Sequence, residues 1–116
     1  MKNFELNTIV NYVKDYHTDE LVELLMENRN DRKEIINISA AIALRNGYRT
    51  LTPKTAFRAI YSTDHMIEKI NEKWYSSALS EREKKNKVAH YCAAIAIRNG
   101  LHDEWPTLVK LVLKFI

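Results

Sequence analysis

The chain has 116 residues, of which 46% are hydrophobic and 28% charged, with a formal net charge of +3. That length is one domain able to bury roughly two-thirds of its unfolded surface, and the balance of apolar and charged residues excludes a disordered chain. Two glycines and two prolines exclude a turn-rich sheet or barrel, the single cysteine excludes an internal disulfide, and no apolar run reaches the roughly 18 residues that span a bilayer.

In chain order, Phe4, Leu6, Ile9, Val10, Val13 and Tyr16 follow helical spacing and predict a first helix. Thr18 or Asp19 caps a second, which carries Leu21, Val22, Leu24, Leu25 and Met26. Asp31 opens a third, apolar on nearly every side: from Ile35 to Leu44 only Asn37 and Ser39 are polar. Thr52-Pro53 opens a fourth with Phe57, Ile60 and Tyr61. Thr63 or Asp64 caps a fifth, with Ile67, Ile70 and Trp74 along one face. Ser80 with Glu83 forms a capping box for a sixth, again apolar from Val88 to Ile97 apart from His90. A seventh runs from about Glu104 to the end. The expected fold is an all-α, single-domain bundle of seven helices.

A self-match gives the bundle an internal order. Residues 40–47 read AAIALRNG and residues 93–100 read AAIAIRNG, at an offset of 53 that also carries Pro53 onto Pro106. Eight of the 14 positions from Ala40 to Pro53 are identical. Upstream, the same offset aligns Ser39 with Cys92. Duplication of a helix–turn–helix unit explains this, with copies at about 18–62 and 64–116 related by a pseudo-twofold axis. The physics of the motif is direct: alanine and isoleucine propagate a helix, Arg45 and Arg98 favour its C-terminal dipole, and Gly47 and Gly100 end it. A helix that is apolar all round is wrapped by neighbours, so the third and sixth helices are expected at the centre.

The link after each glycine holds the candidate interaction residues. In the first copy Arg45, Tyr48, Arg49, Lys54 and Arg58 occur in a stretch without Asp or Glu, a composition suited to an anion or a phosphate backbone. In the second copy His102, Asp103, Glu104 and Trp105 replace basic with acidic character, so basic and acidic links are candidates for head-to-tail self-assembly. A DNA-binding helix-turn-helix is excluded: it wants an apolar residue two after the glycine and no proline in the second helix, whereas the chain has Arg49 and Pro53, then His102 and Pro106.

No catalytic or metal-binding pattern accompanies these residues. The four histidines, His17, His65, His90 and His102, form no zinc spacing, and His90 and Cys92 lie on different sides of one helix. Cys92 is expected to be a small buried residue and His90 a core or near-core one. The stretch from Leu108 to Ile116, apolar at seven of nine positions, is expected to dock on the core, with a dimer seam or a partner's groove as the alternative.

The reading is therefore a non-enzymatic, intracellular helical module without cofactor, metal or membrane span, which docks on a protein partner and regulates it. An AT-rich composition of Ile, Asn and Lys fits a phage-like regulator of a larger protein machine. Nucleic acid bound at the basic link and a homodimer are the alternative partners.

Overall fold

The computed structural model describes residues 4–52 and 61–116. Among them are six α-helices and no strand: α1 (Leu6–Asp15), α2 (Thr18–Glu27), α3 (Arg32–Arg45), α4 (Thr63–Trp74), α5 (Glu81–Arg98) and α6 (Trp105–Val112). Short 3-10 turns, Leu101–Asp103 and Leu113–Phe115, flank α6. The helix expected from Thr52-Pro53, with Phe57 and Ile60, lies outside the described residues. No helix among the described residues is long and apolar enough to cross a membrane.

The two alanine-rich helices sit at the centre. Helix α3 packs on α5, α1 and α2 cover α3, and α4 covers α5, while α6 reaches α1. In α3 every residue from Ile35 to Leu44 is buried. Alanine side chains are small enough to let two helix backbones approach closely, and Ala40, Ala41, Ala43, Ala89, Ala93, Ala94 and Ala96 are all within 1% of complete burial. Cys92 lies at this interface beside Ser39, the residue aligned with it at the offset of 53. Burial pushes its thiol well above the usual range, and the Ser39 hydroxyl pulls it down by less.

Both central helices end in the same way. Asn46 and Asn99 occupy the C-caps, and Gly47 and Gly100 follow in left-handed conformation with φ of 92° and 86°. After α3 the N–H of Tyr48 donates to the Ala43 carbonyl and that of Gly47 to Leu44, a Schellman ending that satisfies two orphan carbonyls. Each asparagine also reaches two acceptors. Asn46 Nδ2 donates to Ile42 O (2.7 Å) and Thr18 Oγ1 (3.1 Å). Asn99 Nδ2 donates to Ile95 O (2.8 Å) and Thr63 Oγ1 (3.3 Å).

These threonine ties correct two expected caps. Thr18 and Thr63 are buried first residues of their helices, with hydroxyls turned inward to the asparagines. The caps fall one position earlier. Glu20 reaches back to accept the N–H of His17 (3.0 Å), and Ser62 Oγ accepts the N–H of His65 (3.0 Å). Asp31 caps α3 as expected, and Ser80 with Glu83 closes the expected capping box on α5. The final helix begins at Trp105, close to its expected start, and is shorter than expected at its C-terminal end, where Leu113–Phe115 forms a 3-10 turn.

At Gly47 and Gly100 an added Cβ meets nothing within 4 Å, so only the positive φ opposes a side chain. Gly47→Ala and Gly100→Ala are each expected to lower stability by about 1 kcal/mol, the left-handed strain exceeding the gain from a stiffer unfolded chain. Urea unfolding monitored by circular dichroism checks this, with an unchanged m-value showing that the fold itself is retained.

Candidate functional site

The sequence-derived candidates turn out to be held largely by the fold. Arg45 extends from the last turn of α3 to the end of α1, where its Nε and Nη2 donate to the Val13 carbonyl at 2.9 and 2.6 Å. A carbonyl in the last turn of a helix is an orphan acceptor, and Arg45 satisfies it. Arg49 is exposed in the link, and its Nη1 donates back to the Leu44 carbonyl (3.1 Å) at the end of α3. Tyr48 is half-buried, with its hydroxyl 3.4 Å from His90 Nδ1. Lys54 and Arg58 lie outside the described residues.

In the acidic link Trp105, a residue best read as packing and as a candidate for interaction only if exposed, is 1% exposed, and its Nε1 donates to the Tyr48 carbonyl at 2.9 Å. A buried indole needs a partner for its N–H, and the first link supplies it. The bond sets basic and acidic links side by side within one molecule. His102 and Asp103 are exposed, with His102 Nε2 3.6 Å from Asp103 Oδ1, and Glu104 is half-buried. In α6, Leu108 and Val112 are buried, while Leu111, Leu113 and Ile116 are 42%, 51% and 38% exposed.

A cleft of roughly 300 Å³ between α4 and α5 is lined by Lys73, Asn86, Lys87, His90 and Tyr91. Its α5 side corresponds, at the offset of 53, to the face of α3 on which α1 sits. There Tyr12 Oη donates to Glu34, Asn37 Oδ1 accepts the N–H of Glu5 (3.0 Å), and Arg45 holds Val13. Lys33 pairs with Glu5, whose carboxyl is held below its usual range by that ammonium. Burial, reinforced by the Glu34 carboxylate, pushes the Tyr12 phenol well above its ordinary value.

On α5 the matched residues are Lys87 for Glu34, His90 for Asn37, Ile97 for Leu44 and Arg98 for Arg45. Each is more exposed than its counterpart: Lys87 and Arg98 are exposed where Glu34 and Arg45 are half-buried, and His90 and Ile97 are half-buried where Asn37 and Leu44 are buried. Positions 87, 90, 94 and 97 recur at three- and four-residue spacing, which places them along one face of the helix. Among the described residues, no helix covers α5 as α1 covers α3.

Sequence reasoning passed over this stripe because Lys87 belongs to a run, Glu81 to Lys87, that reads as an ordinary solvated helix start. The available signal was the offset of 53 itself. Carried one turn further upstream, it pairs a glutamate with a lysine and an asparagine with a histidine.

Two outcomes check this geometry. Trp105→Phe keeps the buried ring but removes the donor to Tyr48, and is expected to cost about 1 kcal/mol in urea unfolding. Cys92, fully buried with its thiol held protonated, is expected to resist a thiol reagent at neutral pH and to react at the rate of global unfolding. Rapid labelling of the folded protein would show that the α3–α5 interface opens. Compared with family models, with curated proteins and with solved structures, the chain matches none.

Proposed function

We propose that this chain is a small non-enzymatic helical module that docks on a protein partner and modulates it, as a phage-like regulator of a larger protein machine would. The observation that supports the reading is the cleft between α4 and α5, with Lys87 exposed at its rim. The matched face of α3 is covered by the ten residues of α1. Tyr75, 62% exposed at the end of α4, adds an aromatic of the kind that anchors protein interfaces.

A nucleic-acid role rests on fewer free groups than the basic link promised. Arg45 is committed to Val13, and Arg49 is bonded to the Leu44 carbonyl at the end of α3. A phosphate backbone is recognised by cations free to meet it, and affinity then falls steeply with salt.

The test is purification of the tagged chain from cells that express it, with and without nuclease, followed by hydrogen exchange on the co-purified complex. A partner retained in near-stoichiometric amount after nuclease, with slowed exchange across the stripe 87–98, is the expected result. Capture that vanishes with nuclease would move the reading to the basic link around Arg49. A retained partner that protects only the links would place docking elsewhere on the molecule.

A further inference from the structure

We propose that α6 and its flanking turns form a docking surface for a second copy of this chain, the two segments lying antiparallel about a twofold axis that crosses between Leu108 and Val109. The inference goes beyond docking on a different protein and does not depend on it.

One face of α6 is already used. Trp105, Leu108 and Val112 are buried, and the helix reaches α1. Asp103, Thr107, Lys110 and Lys114 recur at four-, three- and four-residue spacing, which places them along the opposite face, and all four are exposed. Leu111 and Leu113 flank this row and are among the most exposed large apolar side chains of the described residues. Aliphatic side chains grouped beside a polar row favour association, because contact removes them from water.

The charge along the row selects the occupant. The carboxylates, Asp103 and Glu104, stand at one end of the segment, and the ammonium groups, Lys110 and Lys114, at the other. Asp103 and Lys114 are roughly 16 Å apart at 1.5 Å per residue, so they do not pair within one molecule. Among the described residues Asp103 meets only its neighbour His102, at 3.6 Å, and Lys110 and Lys114 make no ion pair. A segment polarised in this way repels a parallel copy of itself and attracts an antiparallel one. With the axis between Leu108 and Val109, Asp103 of each copy faces Lys114 of the other, Thr107 faces Lys110, and Pro106 faces Leu111. Two such ion pairs form at once, because a twofold contact uses every pairing twice. One helix face is a small interface, so a dissociation constant on the order of 10 to 100 µM is expected.

The test is sedimentation equilibrium of the full chain from roughly 1 µM to about 1 mM, a range that brackets the expected constant. The expected result is a monomer–dimer equilibrium that weakens roughly tenfold or more with Asp103→Lys and, separately, with Lys114→Asp, since each change sets like charges against each other twice. An equimolar mixture of the two variants is expected to recover association near the wild-type level, as a heterodimer in which both ion pairs are restored, one with its signs exchanged. Recovery of this kind cannot come from misfolded chains. Glu23→Lys, the same change of charge on α2, is expected to leave the equilibrium unchanged. All three changes lie on exposed side chains, and circular dichroism verifies that the helices are kept. A chain that stays monomeric throughout overturns the inference. A dimer indifferent to Asp103→Lys and Lys114→Asp places self-association on another surface and also overturns it. A dimer weakened by both variants and not recovered in their mixture overturns the antiparallel arrangement.

Discussion

The close packing of α3 on α5 is the constraint from which the rest of the architecture follows. Two helices rich in alanine give up side-chain bulk so that their backbones can approach, and each then exposes apolar surface in several directions at once. In α3, the run from Ile35 to Leu44 is buried on all sides, which requires three covering elements: α5, α1 and α2. In α5, the corresponding run is buried except at His90 and Ile97, and these two residues lie seven apart on one face. The difference between the helices is confined to the stripe that α1 would cover. Burial elsewhere, including Cys92 against Ser39, is shared.

The ends of the central helices are fixed with the same economy. One asparagine closes each helix on its own carbonyl and ties it to the threonine that begins the preceding helix. The tied helices resemble each other beyond the threonine. Thr18, Leu21, Val22 and Leu25 are the buried residues of α2, and Thr63, Met66, Ile67 and Ile70 those of α4. Their spacing along the helix is the same, although the offset here is 45 residues instead of 53. The extra length lies in α4, in α5 and in the turn between them, each longer than its counterpart.

Much of this was legible from residue pattern because the signals are local. Glycine after an alanine-rich run ends a helix, and Ser80 with Glu83 begins one, by bonds spanning a few residues. The misreadings share a different cause. At His17-Thr18-Asp19 and at Ser62-Thr63-Asp64 several residues can cap equally well on local grounds, and an asparagine some 30 residues away decides which hydroxyl turns inward. Arg45 was placed correctly in the last turn of its helix, yet the acceptor that holds it belongs to α1. Trp105 stands next to acidic residues in a link and reads as packing, but its neighbours do not say against what. Its burial depends on the Tyr48 carbonyl, 57 residues earlier. Each of these choices is made by a tertiary contact for which neighbouring residues carry no sign.

The same distinction explains why the stripe on α5 is a matter of structure more than of composition. Lysine at 87 and histidine at 90 are unremarkable on a helix surface taken alone. They gain meaning only when α1 is seen lying across Glu34 and Asn37 on the matched face. The two faces therefore carry the same helical spacing with different partners: Glu34 and Asn37 meet α1, whereas Lys87 is exposed and His90 Nδ1 stands 3.4 Å from the Tyr48 hydroxyl.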